Sequence, residues 1–472
     1  MEPYMVLLPQ ALLLLTGLLV LLMKIIVGDR RGNFYLALFG SLIALFSTLQ
    51  VSSGMNPPGI HVDPFGLLMT RLIIITLLGV FCYSLITLNQ KQTQYTEWSV
   101  LLTLAALGLT LMANTHHLLV IFVGLELSSL AFYVLCGYMR RDHKGLEASL
   151  KYFVMGSVGS AIILLGMALV YAHEGTLLMT EVGLQRLPTQ TLWLSVFVVV
   201  LGFLFKLSLV PMHFWVPDVY EGAPTQVTAF MSVAVKMAVF AVLIRMLTLY
   251  HGIEWIPWSS IFWWFALGTI LLANLFALVQ ESVKRMLAYS SIAHAGYLML
   301  GLVALSPDGF TAIVFYLTVY MVMNILAFGV VELASTSGDY LYDDLRGLSL
   351  DQPVLAFALA IAMISLTGLP PTAGFMGKLM LFRSVVEAGY VSLAIVAVFG
   401  SLLSVGYYFR VIIYAYIRSP LEDQDEIRAT PVALSRATSV AGLIFLLIIG
   451  FFPNWIYQPI GMVVDILGGL SL

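Results

Sequence analysis

An all-α polytopic membrane protein is predicted by three observations on this chain. Of its 472 residues, 60% are hydrophobic and only 10% charged, with a mean hydropathy of +0.98; a soluble domain carries about 25% charged residues. The apolar residues come in unbroken runs of ~20, the length of a helix that spans a bilayer, and not in the alternating ~10-residue segments of a membrane barrel. The polar charges between the runs then fall almost wholly on one side. Taken in order, the runs are centred near Thr16, Ala44, Thr76, Ala106, Ser128, Leu164, Val199, Met237, Ile270, Leu298, Met321, Ile364, Leu402 and Leu446, which gives about 14 spans. The first, Leu7 to Val27, follows Met1-Glu-Pro-Tyr-Met5. That start lacks the positive n-region of a signal peptide, so the span is expected to persist in the mature chain. Only two stretches are markedly polar, Ser335 to Gln352 and Arg418 to Arg436.

Loop charge sets the orientation. Connections after odd-numbered spans hold twelve basic residues: Arg30, Arg31, Lys91, Arg140, Arg141, Lys144, Lys284, Arg285, Arg346, Arg418, Arg428 and Arg436. Connections after even-numbered spans hold one, Arg186. The odd connections are therefore expected in the cytoplasm and both termini outside. Basic residues near helix ends, such as Lys24, Arg71 and Arg245, are expected to snorkel to the interface. His116-His117 are expected in a solvated outer turn.

The overall balance, 22 basic against 25 acidic residues, gives no basic patch and no case for nucleic acid. Cys82 and Cys136 fall in apolar runs, with no metal spacing and no disulfide framework. The sequence shows no phosphate loop, nucleophile elbow, dinucleotide fingerprint or haem-attachment motif. Any driving reaction is expected elsewhere.

Three lysines sit deep in spans: Lys206 in Gly202-Phe-Leu-Phe-Lys206, Lys236 in Ser232-Val-Ala-Val-Lys236, and Lys378 in Gly374-Phe-Met-Gly-Lys378. A charge at the centre of a span costs roughly 2.5–3.5 kcal/mol on insertion scales and by default marks an ion or proton path. Lysine suits proton exchange because desolvation weakens its hold on the proton, whereas arginine stays protonated. Span 7 carries Pro211 after Lys206, and span 12 carries Gly368-Leu-Pro-Pro-Thr-Ala-Gly374 before Lys378. Both are expected to be broken helices, the usual pointer to a midplane site in transporters. The symmetry is imperfect, since Lys206 precedes its proline and Lys378 follows its pair. Glu126, in Gly124-Leu-Glu126, lies among apolar residues of span 5 and needs a cation to stay ionised. It is either half of a structural ion pair or half of a pair that opens and closes. His294, among the hydroxyls of Tyr289-Ser-Ser-Ile-Ala-His294, and His213, seven residues after Lys206, are candidate relay members or packing groups. Lys151, in Glu147-Ala-Ser-Leu-Lys151, either joins the relay or snorkels to the cytoplasmic face.

Taken together, Gly124-Leu-Glu126, Phe205-Lys-Leu-Ser-Leu-Val-Pro-Met-His-Phe-Trp-Val-Pro-Asp218, Lys284-Arg-Met-Leu-Ala-Tyr-Ser-Ser-Ile-Ala-His294 and Leu369-Pro-Pro-Thr-Ala-Gly-Phe-Met-Gly-Lys378 resemble the antiporter-like membrane subunits of respiratory complex I, the proton-pumping NADH:quinone oxidoreductase. The similarity is nearest to the subunit N type: lysine in span 12 argues against M, and the lack of a long lateral helix argues against L. Mrp-type sodium/proton antiporters and membrane-bound hydrogenases share much of the pattern and are the alternative. The resemblance implies fourteen helices, with spans 4–8 and 9–13 as inverted repeats and helices 7 and 12 broken. Residues 1–97 would then form a three-helix segment, 98–250 and 255–417 the two repeats, and 418–472 a cytoplasmic loop and C-terminal helix. It also implies a Glu126–Lys206 pair, Lys236 as central relay, Lys378 as terminal proton site and Lys151 as a further relay lysine. NADH, FMN, iron–sulfur clusters and quinone would belong to partner subunits, with none bound by this chain. The partners would be M-type and small K/J-type membrane-arm subunits and lipids, in a bacterial inner membrane with both termini periplasmic.

Overall fold

The computed structural model describes residues 2–51, 62–90, 94–139, 142–182, 190–250, 256–335, 339–420 and 433–469. Lys91, Arg140, Arg141, Arg186, Arg428 and the boundary around residues 251–255 lie outside them. Among the described residues the chain is helical throughout. The first half runs α1 (Leu8–Val27), α2 (Arg31–Ser47), α3 (Pro64–Gln90), α4 (Tyr95–Ala113), α5 (Leu118–Cys136) and α6 (His143–Glu174). There follow α7 (Gln190–Lys206), α8 (Trp215–Gly222), α9 (Thr225–Phe230) and α10 (Lys236–Tyr250). The second half runs α11 (Trp258–Leu278), α12 (Val283–Ala304), α13 (Pro307–Ala334), α14 (Leu348–Asp351), α15 (Pro353–Thr367) and α16 (Ala373–Glu387). The chain closes with α17 (Val391–Tyr416), α18 (Ala433–Phe451) and α19 (Asn454–Gly469).

Eleven described segments are long and apolar enough to cross a membrane, and α7 and α15 are shorter apolar helices. This is a multi-pass membrane protein. The segment holding α9 and α10, together with α12 and α13, is almost wholly enclosed, whereas α1, α6, α11, α17 and α18 turn one face outward. That outward face is apolar, with Ile25, Leu150, Ile395 and Leu402 exposed on it, as expected where lipid or another membrane chain is the solvent.

Local chemistry explains the ends and breaks. Ser282 and Ser306 cap α12 and α13, their side chains accepting from the amides of Arg285 and Gly309, and Pro307 and Pro353 open α13 and α15 where no amide donor is needed. Gly368 stops α15 in the left-handed region (φ 84°), its amide donating back to the Ile364 and Ser365 carbonyls. The following proline pair cannot continue the helix. Span 7 breaks likewise: α7 ends at Lys206 and the chain re-enters helix at Trp215, beyond Pro211. A π-helical turn, Met231–Val235, separates α9 from α10, so Lys236 follows a local unwinding that sequence periodicity did not signal.

Three expectations need correction. His116 is 5% exposed and packs against a buried arginine, so it is not solvated. Arg245 is 1% exposed and does not snorkel. Lys284, counted with the cytoplasmic loop charges, is buried, donating to the Ala223 carbonyl and lying 4.5 Å from the centre of the Tyr340 ring. In addition, Pro453 ends α18 and opens α19, an extra helix that packs on α13 and α3.

Candidate functional site

At both broken helices the lysine ammonium donates to a main-chain carbonyl, but from different positions about the break. Lys206 is the last residue of α7. Lys378 lies inside α16, but its Nζ reaches back to donate to the carbonyl of Thr367, the last residue of α15, at 2.8 Å. The Lys378 ammonium thus meets the C-terminal end of a half-helix, where the helix dipole favours a cation, whereas that of Lys206 lies on the Gly156 carbonyl inside α6. Both are buried, at 6% and 2% exposure.

Glu126 and Lys206 do not touch. Between them stands α6: Ser160 donates to Glu126 Oε1 and to the Gly156 carbonyl (3.0 Å), and Lys206 Nζ donates to that same carbonyl at 3.1 Å. The direct pair implied by the resemblance is therefore open in this structure, although the carboxylate still lies within electrostatic range of the lysine. Ser160 and the Gly156 carbonyl are site members that sequence reasoning missed; a serine four residues after a glycine in an apolar helix gave no signal.

Lys236, 5% exposed, donates to the Ser232 carbonyl (3.0 Å), to Ser291 and at 3.5 Å to the Tyr320 hydroxyl, and sits 5.3 Å from the centre of that ring. His294 follows Ser291 by one helical turn on α12. Its Nδ1 meets the Tyr316 hydroxyl at 2.6 Å and its Nε2 the Tyr408 hydroxyl at 3.0 Å. Both Lys236 and Lys378 lie within electrostatic range of this ring. Lys378 Nζ is 4.6 Å from the centre of the Tyr297 ring. Tyrosine faces of this kind stabilise a buried ammonium by roughly 0.5–2 kcal/mol. The structure thus brings Lys236, His294 and Lys378 into one buried polar line across α10, α12, α13, α16 and α17.

The other two candidates sit apart from that line. Lys151 lies in a charged depression of about 200 Å³ bounded by Lys144, Glu147, Asp218, Glu221 and Arg285. It pairs with Glu147 at 2.7 Å and Asp218 at 2.6 Å, and Asp218 also takes Arg285 at 2.7 Å. Burial pushes the Asp218 carboxyl up, but Lys151 and Arg285 outweigh it and hold the group below the usual carboxylate range. His213 is buried in the break between α7 and α8, its ring 4.4 Å from that of Phe214 and 6.3 Å from that of Phe276.

A further ionic cluster is remote from these. Arg245 holds Asp63 through both carboxylate oxygens, at 2.5 and 2.7 Å, and also contacts His116 Nε2 (3.0 Å) and the Ala113 carbonyl (2.9 Å). Its partners come from positions so distant in sequence that no local pattern predicts it.

A multi-pass fold with paired broken helices and a buried line of lysines defines the class of protein. Residues 115–404 match the family described as NADH:quinone oxidoreductase/Mrp antiporter, TM. NADH-quinone oxidoreductase subunit N of Trichlorobacter lovleyi is 38% identical, the match covering 96% of this chain and 95% of that protein. A chain of respiratory complex I from Thermus thermophilus shares the fold with a TM-score of 0.83 at 33% identity, over 95% of this chain and 98% of that one. A chain of the membrane-bound sulfane sulfur reductase, an archaeal respiratory membrane complex, gives 0.88 at 24% identity over 99% of each chain, a likeness of fold alone. The chain belongs to the NADH:quinone oxidoreductase/Mrp antiporter membrane family.

Proposed function

We propose that this chain is a proton-translocating membrane-arm subunit of an NADH:quinone oxidoreductase, driven by quinone reduction in other subunits. The observation that carries the reading is the burial of Lys206 and Lys378 beside two helix breaks, each Nζ on a main-chain carbonyl, together with buried Lys236 and His294. Full-length similarity to a subunit N relative favours this over the Mrp-type antiporter or membrane-bound hydrogenase reading.

The proposed frame is fourteen spans, each centred in one of the described helices, with α7 pairing α8 and α15 pairing α16. In it α4–α10 and α11–α17 are inverted repeats, residues 1–97 a leading three-helix segment, and 418–472 a cytoplasmic loop followed by the last helices. The odd connections face the cytoplasm of a bacterial inner membrane and both termini the periplasm. M-type and small K/J-type subunits and lipids cover the outward apolar faces. NADH, FMN, iron–sulfur clusters and quinone belong to partner subunits.

In the proposed cycle Glu126 approaches Lys206, displacing Ser160, and the pair's closure or opening changes how tightly Lys206 holds its proton. The proton moves to Lys236, through His294 to Lys378 and out to the periplasmic side. Lys151 sits in the cytoplasmic charged cluster as an inlet residue, and His213 in the break beyond Lys206. Moving one charge against 100 mV requires about 2.3 kcal/mol, and a two-unit change in proton affinity supplies about 2.7 kcal/mol. A modest electrostatic switch is sufficient in size.

Lys378→Ala in the assembled complex tests the assignment. NADH-driven quinone reduction with acidification of vesicles or proteoliposomes is the measurement, and loss of pumping in a complex of normal abundance is the expected result. Normal pumping and quinone reduction would remove Lys378 from the path. A colourless assembly exchanging sodium for protons without quinone chemistry would instead establish the Mrp-type reading.

A further inference from the structure

Within the buried line, His294 is held in an unusual way. Both ring nitrogens face tyrosine hydroxyls from other helices, Tyr316 of α13 at 2.6 Å on Nδ1 and Tyr408 of α17 at 3.0 Å on Nε2. Tyr408 in turn meets Ser290 Oγ at 2.5 Å. A neutral imidazole has one donor and one acceptor nitrogen, so it accepts from one hydroxyl and donates to the other. All four side chains are buried, and Tyr316 and Tyr408 are fully enclosed. Hydroxyls in an apolar span that served packing alone would not need to face each other across an imidazole.

The packing maintains this arrangement. The Tyr316 ring lies against Gly377, the residue before Lys378, where any Cβ would collide with Cδ2. One α16 turn therefore fixes both Lys378 and the hydroxyl on Nδ1. On the other side, Ser291 beside Ser290 holds Lys236. The Tyr316–His294–Tyr408 chain lies between the two lysines.

We infer that Tyr316, His294, Tyr408 and Ser290 form a proton wire in which two tyrosine hydroxyls on opposite ring nitrogens carry protons between Lys236 and Lys378 by a switch of imidazole tautomer. The inference rests on the proposed function and names further relay residues for it. In one passage a proton released by the Lys236 ammonium reaches the Ser290 oxygen through bridging water, beside the Ser291 hydroxyl that holds the lysine. The Ser290 hydroxyl proton passes to the Tyr408 oxygen, the Tyr408 proton to Nε2, the Nδ1 proton to the Tyr316 oxygen, and the Tyr316 proton onward through water to the Lys378 amine. Every intermediate group gains one proton and loses one. The ring ends as the opposite tautomer, and the wire resets by hydroxyl rotation and return of the tautomer before the next passage. No charged imidazolium has to persist between two lysines.

The test uses the whole complex carrying Tyr316→Phe, Tyr408→Phe, both together, or Tyr83→Phe. Tyr83 is a control: its buried hydroxyl pairs with Ser439 at 2.7 Å, away from the line. Each relay variant is expected to lower pumping coupled to quinone reduction roughly a hundredfold, the low end of the usual worth of a positioned proton-transfer group. It is also expected to raise the solvent deuterium isotope effect, which a packing defect leaves alone. The double variant should lose no more than the worse single one, and Tyr83→Phe should behave as the native complex. If both relay variants assemble and pump like Tyr83→Phe while Lys378→Ala abolishes pumping, the wire is wrong and the lysine path stands. If Lys378→Ala also pumps normally, the underlying function fails as well. Where a phenylalanine variant does not assemble, 3-fluorotyrosine at the same position keeps shape and hydroxyl but is more acidic. An unshifted pH profile of pumping in that complex would equally overturn the wire.

Discussion

Asp63 shows how a single residue can be placed by contacts that no local pattern announces. Burial pushes its carboxyl up, yet Arg245, by charge and by hydrogen bond, together with the Gly66 amide, prevails and holds it below the usual carboxylate range. Neither charge has access to water, so removing one partner leaves the other buried and uncompensated. Asp63→Ala is expected to cost about 3–5 kcal/mol, read as a lower unfolding temperature of the purified complex or as loss of this subunit. The sign with pH follows from the lowered folded-state value. Stabilisation by the pair is complete above the unfolded carboxyl value, about 3.9, and is lost as pH falls through the still lower folded value. The stability gap between native protein and Asp63→Asn should therefore be flat at neutral pH and shrink only below about pH 4. A gap that shrank between pH 8 and 5 would assign it to His116. The burial of His116 has no local sequence signal, because a histidine pair in a turn looks solvated until an arginine from α10 folds over it.

At the scale of elements, the broken helices were legible because proline and glycine act through the backbone, and their effect does not depend on what packs nearby. The three deep lysines were legible for a similar reason: charge in an apolar run is conspicuous whatever its partners. What surrounds them was not. Ser160, Tyr316, Tyr320 and Tyr408 are ordinary residues of membrane helices, and only the juxtaposition of α6, α12, α13 and α17 turns them toward a lysine or histidine. The π turn before Lys236 was equally silent. Close approach of α4 and α5 makes a separate prediction. A Cβ on Gly124 would lie 2.5 Å from the Gly108 carbonyl, and one on Gly108 would lie 2.8 Å from the Ser128 amide. Gly124→Val must therefore push α5, and Glu126 with it, away from α4. Overpacking of this kind costs roughly 1–3 kcal/mol. The expected outcome is a complex of reduced abundance whose remaining fraction pumps poorly. Unchanged pumping per assembled complex would mean that the position of Glu126 does not matter.

For the molecule as a whole, the chemical character of the buried line bears on which ion crosses. From Lys206 through Lys236 to Lys378 the buried cationic groups are amines, with imidazole and hydroxyl groups among them. An amine takes up and releases a proton without changing its place, whereas in its charged form it repels a metal cation. Hard cations such as calcium and magnesium are held by clusters of carboxylate, carbonyl and water oxygens, and sodium, likewise hard, calls for the same kind of oxygen shell. Among the described residues the carboxylate beside Lys206, Glu126, is already engaged by Ser160. If the proposed line is the path, its composition favours protons over sodium, even though the family also includes Mrp antiporters. Proteoliposomes of the native complex should therefore acidify at the same rate per quinone reduced whether sodium or choline is the only monovalent cation, and an imposed sodium gradient should not drive proton movement through them. A pumping rate that rose several-fold with sodium, and that Lys378→Ala or Lys236→Ala abolished, would show the lysine line serving sodium exchange. The same dependence surviving in both variants would locate the sodium path outside this line.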